Sequence, residues 1–206
     1  MTETVLTPER ILEAAEEVLR RFGPAKATVV DVARALHVSH GSVYRHFPSK
    51  AALRDAVTER WLARVSAPLE EVAAEEGPAL ERLRRWYDRL ITAKRRLALG
   101  DPELFATYLT LAADARDVVR THVDALAAQV GKIIADGVAR GELSAKDPES
   151  AGRALLDATS RFHNPAHASE WMDVAIDDAF EDVWSLVTQG LAHRPTPSSS
   201  RRQPPG

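Results

Sequence analysis

Hydrogen-bonding side chains are densest between residues 37 and 50, where Ser39, His40, Ser42, Tyr44, Arg45, His46 and Lys50 surround just two apolar anchors, Val43 and Phe47. These residue types suit a nucleic-acid duplex. Arginine can bind guanine O6 and N7 in bidentate fashion and serine can serve either kind of base edge, so Arg45 and Ser42 are the expected base contacts. Gly41 has no side chain where a helix would press on DNA, which permits close approach. Tyr44, His46, Thr28 and Lys50 suit phosphates: hydroxyls, an imidazole and a cation that fix register without reading sequence. His40 fits either role. A second constellation is His163 and His167 in Phe-His-Asn-Pro-Ala-His. Their spacing is that of metal ligands, with His122 as the candidate third ligand for a divalent metal. Pro165 between them works against a shared helix face, and a histidine hydrogen-bonded within a loop is the competing reading.

The DNA-type residues need a scaffold, and the sequence provides one. Thr28 stands as N-cap before Val29, Val32, Ala33 and Leu36 at helical spacing. A short connection follows, with His37 at a position that needs φ > 0, and Ser39 caps a second helix anchored by Val43 and Phe47. A helix this short is marginal alone, so packing must hold it. Two such helices joined by a tight turn form a helix-turn-helix, whose second helix enters the major groove.

Position by position, residues Pro8 to Leu53 resemble the DNA-binding end of the tetracycline-repressor (TetR) family of bacterial transcription regulators. The run from Val38 to Lys50, Val-Ser-His-Gly-Ser-Val-Tyr-Arg-His-Phe-Pro-Ser-Lys, carries most of that resemblance. It departs at His37, where the family often has glycine. The resemblance implies a homodimer paired through the last two helices, with Ala151, Leu155, Ala158, Phe180, Val183, Trp184 and Val187 supplying apolar faces. It also implies an apolar small-molecule pocket among helices four to eight, for which Tyr87, Tyr108, His122 and His163 are the polar-tipped candidates.

Composition narrows the class. The chain has 206 residues, 45% hydrophobic and 28% charged, with no cysteine and a net charge of −3. Disulfides and thiolate metal sites are therefore ruled out. No apolar stretch reaches the roughly 20 residues of a membrane span, and a cytoplasmic protein is expected. Residues 1–50 hold seven Lys/Arg against six Asp/Glu, a balance of +1, which leaves −4 for the remainder. So weak a positive end would serve DNA best if presented twice.

Apolar periodicity and caps give an all-α chain of about nine helices. A first helix runs from Pro8 to a stop at Gly23-Pro24, and a fourth starts behind Ser49 and ends at Pro68. A fifth follows Gly77-Pro78, a sixth Asp101-Pro102, and a long seventh spans residues 115–140. An eighth runs from Asp147-Pro148 through Phe162, and a ninth covers 172–191. The expected organisation is a helix-turn-helix DNA-binding domain (1–50), a helical ligand-binding and dimerisation domain (51–193) and a disordered Pro/Ser-rich tail (194–206). The leading function is a repressor that a small molecule releases from a palindromic operator. The alternatives are a DNA-binder of the same fold acting through protein partners, and a histidine-metal hydrolase. No nucleophile elbow, phosphate loop or spaced carboxylate pair supports an enzyme.

Overall fold

The computed structural model describes residues 5–192. The expected tail (194–206) lies outside them. Among the described residues there are nine α-helices and two short 3-10 segments: α1 (Pro8–Lys26), α2 (Val29–Ala35), α3 (His40–Tyr44), α4 (Lys50–Ala74), α5 (Ala79–Gly100), α6 (Pro102–Asp114), α7 (Arg116–Ala139), α8 (Pro148–Ala158) and α9 (Ile176–Leu191), with the 3-10 turns at Ser160–Phe162 and Pro165–Glu170. The caps explain where the helices begin. Thr7, Thr28, Ser39, Ser49, Asp101 and Asp147 each accept a backbone N–H in the first turn of the helix they precede. At Thr28 the cap is reciprocal, because the Asp31 carboxylate reaches back to the Thr28 N–H.

Some ends differ from the periodicity. Gly23, at φ 72° and ψ 165°, interrupts α1 at the expected stop, and a short helical turn follows it to Lys26. Pro68 does not stop α4, which continues to Ala74. Leu62 before it packs into the head core, while Val65 before it and Leu69 and Val72 after it pack together into the body core. Their burial outweighs the ~3 kcal/mol that an internal proline costs. α8 stops at Ala158 and yields to the 3-10 turn that holds Phe162, and α9 starts four residues later than expected, at Ile176.

The core has two centres. In the head, Ile11, Val18 and Leu19 of α1, Val29 and Val32 of α2 and Val43 of α3 meet Val57 and Trp61 of α4 and Phe105, Tyr108 and Leu111 of α6. In the body, the second half of α4 packs with α5, α7, α8 and α9 around Trp86, Tyr87, Val130, Phe162 and Phe180. α4 therefore belongs to both. α7 and α8 approach closely at paired glycines: a Cβ on Gly152 would lie 2.5 Å from the Gly131 nitrogen and 2.8 Å from the Ala127 carbonyl oxygen. Arg82, only 1% exposed, is matched by Asp136 at 3.1 Å and by the Ala73 carbonyl at 2.6 Å.

Candidate nucleic-acid interface and ligand groove

α3 is held by one buried side chain, Val43, and by the half-buried Phe47 just beyond it. Everything else on it faces outward. Ser39, His40, Gly41, Tyr44, Arg45, His46 and Lys50 are exposed and Ser42 is half-buried. His37 takes φ 56°, the left-handed turn conformation its position requires. On the outer face Ser39 Oγ lies 2.9 Å from Ser42 Oγ, Arg45 donates to Ser42 Oγ at 3.1 Å, and the His40 ring meets Tyr44 edge-on at 6.3 Å. The serines and Arg45 thus form one hydrogen-bonded row. A Cβ on Gly41 would meet only Ser39 Oγ, at 3.8 Å, so internal packing does not call for glycine there.

Thr28 and Lys50 border the same small crevice at the edge of this face. The Thr28 hydroxyl donates to the Asp31 carboxylate at 2.6 Å and is spent on its own cap. The Asp31 carboxyl is held below its usual range by that bond and by Arg34 at 2.9 Å. Lys50 is the first residue of α4 and makes no ion pair among the described residues.

The body contains a groove of about 690 Å³ between α4, α5 and α6. Trp61, Val65, Leu69, Leu97, Leu104 and Tyr108 give it apolar walls, with Arg64, Arg89 and Arg96 among its polar residues. Of the four polar-tipped candidates, only Tyr108 lines it. Tyr87 is fully buried against Trp86, Trp184 and Phe180, and its hydroxyl makes no hydrogen bond. Burial pushes the Tyr108 phenol up to about 12, and that of Tyr87 further still. His163 lies 6.3 Å from the Tyr87 ring, and its Nε2 donates to the Leu156 carbonyl at 3.2 Å. His122, on α7, borders a separate shallow groove with α4, and its Nε2 has no partner. Burial lowers both imidazoles to about 4.

The metal trio does not assemble. His163 turns inward, whereas His167 is on the Pro165–Glu170 turn with Nδ1 2.9 Å from Glu170. Pro165 starts a new segment and so separates the two faces. Among the described residues no three His, Asp or Glu side chains gather to hold a metal ion. The residues expected to form the pairing stripe divide between the subunit's own core and its surface. Leu155 and Phe180 are buried in the subunit's own core, with Ala151, Val183, Trp184 and Val187 packed against it. The apolar residues that α8 and α9 leave exposed are Ala154, Ala158 and Leu186, the last 73% exposed.

The sequence reading overlooked Lys94. Its side chain is 5% exposed, its ammonium lies 5.8 Å from the Tyr108 ring centroid, and burial lowers it to about 8. The signal was there: Lys94 continues the buried stripe of Tyr87, Leu90 and Ile91 at helical spacing. The neighbouring Arg95 and Arg96 disguised it as part of a solvated charge run.

Comparison with known proteins agrees with this architecture. Residues 11–57 match the family described as bacterial regulatory proteins, tetR family, and residues 79–184 match the tetracyclin repressor-like C-terminal domain. An uncharacterised helix-turn-helix-type transcriptional regulator of Mycobacterium tuberculosis is 32% identical over 107 residues, 52% of this chain and 51% of that one. In sequence, the chain thus spans about half the length of that curated relative. A solved structure reported as the molecular basis for control of antibiotic production by bacterial hormones is 27% identical, with TM-score 0.61, covering 92% of this chain and 100% of that one. SmeT, the repressor of the Stenotrophomonas maltophilia multidrug efflux pump SmeDEF, shares the fold at 20% identity and TM-score 0.65, over 97% and 98% of the two chains. No helix among the described residues is long and apolar enough to cross a membrane. With the outward-facing reading helix at one end and family matches covering both head and body, the chain belongs to the TetR family of DNA-binding transcription regulators.

Proposed function

We propose that the protein is a homodimeric repressor that binds a palindromic operator and is released by a small molecule in the groove between α4, α5 and α6. One observation carries this reading: two walls of that groove, α4 and α6, are also the helices packed against the head. A molecule that spreads or rotates them displaces α3. In a dimer, two α3 helices must reach successive major grooves about 34–36 Å apart, so a modest tilt of each is enough to lose the match. The mechanism is a population shift: the effector binds the DNA-incompetent arrangement better and drains the competent one. In this reading Arg45 and Ser42 contact bases, while Lys50, Tyr44 and His46 hold phosphates. Thr28 serves through its N-terminal position rather than its hydroxyl.

The test begins with duplexes selected from a random pool by the full-length protein. Nile red, a neutral apolar dye, is then titrated with and without the selected duplex. Linkage requires each ligand to weaken the other by the same factor, typically about 5–150-fold. Ala93→Trp, which fills the groove, should abolish dye binding and keep duplex binding. Dye bound in the groove without any change in duplex affinity would overturn the reading, as would selection of sites without two-fold symmetry.

A further inference from the structure

The helical body buries a cation without giving it an anion. Lys94 makes no hydrogen bond or ion pair among the described residues, and its one recorded contact is the face of Tyr108. An isolated ammonium in an apolar interior is expensive, and buried charges are normally paired. On α7, His122 buries an Nε2 that also lacks a hydrogen-bond partner. The two are electrostatically linked, because the Lys94 charge adds to burial in keeping the His122 imidazole neutral. Arg82, in the same body, shows the contrast: its guanidinium is met by Asp136 and a backbone carbonyl. The Lys94 ammonium lies 5.8 Å from the centroid of the Tyr108 ring, and that ring also lines the apolar groove.

We propose that Lys94 and His122 receive the carboxylate head group of an amphipathic small molecule whose apolar body lies along the groove between α4, α5 and α6. The proposal rests on the groove being the ligand site and adds the chemical class of the ligand. Lys94 supplies the charge and His122 Nε2–H a neutral donor. Both groups then gain the partner that the protein itself withholds. A charge-assisted hydrogen bond in such surroundings is about twice as strong as a neutral one, so a carboxylate should be preferred over an uncharged molecule of the same shape. Tyr108, which contacts Lys94 and lines the groove, is the side chain that must turn aside to admit the head group. Arg96, exposed at the groove, is the competing cation.

Displacement of Nile red by octanoate and by 1-octanol tests this on the full-length protein. Wild type should bind octanoate about tenfold or more tightly than the alcohol. Lys94→Met, similar in length and uncharged, should collapse that ratio towards one while leaving 1-octanol affinity in place. His122→Phe should reduce the ratio by a smaller factor. Three results would overturn the proposal: no octanoate preference in wild type, an undiminished ratio in Lys94→Met, or a ratio lost in Arg96→Met, which would put the head group at the mouth. The first and third are readable even if Lys94→Met does not fold. If Nile red itself fails to bind wild type, the groove falls as a ligand site. If the dye and 1-octanol bind but octanoate is no better, only the assignment to Lys94 and His122 fails.

Discussion

Lys50→Ala is the most direct probe of the DNA face. Lys50 sits at the first position of α4, where the helix dipole disfavours a cation by about 0.3–1 kcal/mol. It makes no ion pair among the described residues that would offset this. Its removal should therefore leave stability unchanged or slightly raised, while any DNA role is lost. If each protomer places one Lys50 on a phosphate, a dimer releases two fewer counterions in the mutant. With a slope of about −0.9 per phosphate, the dependence of log K on log salt should flatten by about 1.8. Between 50 and 200 mM salt, wild type should lose about twelvefold more affinity than the mutant. Fluorescence anisotropy on a selected duplex at several salt concentrations measures the slope, and a urea midpoint checks the fold. Arg34→Ala is the contrast, since Arg34 is engaged by Asp31 at 2.9 Å. An unchanged slope in Lys50→Ala, or an equal change in both mutants, would refute the phosphate assignment.

Two further expectations concern assembly and pH. Leu186→Glu should convert the dimer to monomer in analytical ultracentrifugation with little loss of helicity, because Leu186 faces outward on α9; a stable dimer would move the interface off that surface. Between about pH 6.5 and 4.5 stability should fall on acidification. His122 and His163 are lowered to about 4 in the fold, so in this window the unfolded chain binds more protons and ΔG of unfolding decreases as pH drops. Denaturation midpoints at pH 7 and pH 5 read the effect, and equal midpoints would contradict it. The carboxylates held low by ion pairs, such as Glu170 and Glu181, respond only below that window.

Local chemistry made much of the molecule legible. Six of the helix starts followed from single capping residues, and the left-handed turn followed from His37, because these depend on nearest neighbours along the chain. Which face of α3 is exposed was legible for the same reason: two apolar anchors, Val43 and Phe47, fix the orientation of a five-residue helix. What escaped were decisions made between distant segments. Pro68 reads as a stop until Leu69 and Val72 are seen joining one buried stripe with Val65. Trp184, placed on the expected pairing face, also packs within its own subunit, with Tyr87 5.6 Å away and the Arg84 guanidinium 5.9 Å from its ring. The histidine trio looked plausible in spacing, yet Pro165 redirects the chain and places His167 outside.

In the proposed function, coupling of groove to head runs through packed apolar contacts, not through the ion pairs that decorate the same helices. Arg60 and Arg64 of α4 hold Glu16 of α1 at 3.1 and 2.8 Å, and Arg54 reaches Asp114 at 3.4 Å. Arg64–Glu16 and Arg54–Asp114 each have a solvent-exposed member, and such pairs are worth about 0–1 kcal/mol each and weaken with salt. They can set register but cannot transmit a displacement. Trp61 and Tyr108 can, since their rings lie 6.1 Å apart, both line the groove, and both belong to the head core. Phe105 stacks on Tyr108 at 6.1 Å and passes the contact to Trp171 at 6.4 Å. Close-packed rings of this kind switch between discrete arrangements instead of deforming gradually. A ligand that moves Tyr108 to reach Lys94 would therefore have to reset Trp61 as well. Because Trp61 and the N-terminus of α4 share one helix, and that N-terminus carries Lys50, the residue proposed to receive the head group and the residue proposed to hold DNA are joined through a single aromatic contact and a few turns of one helix.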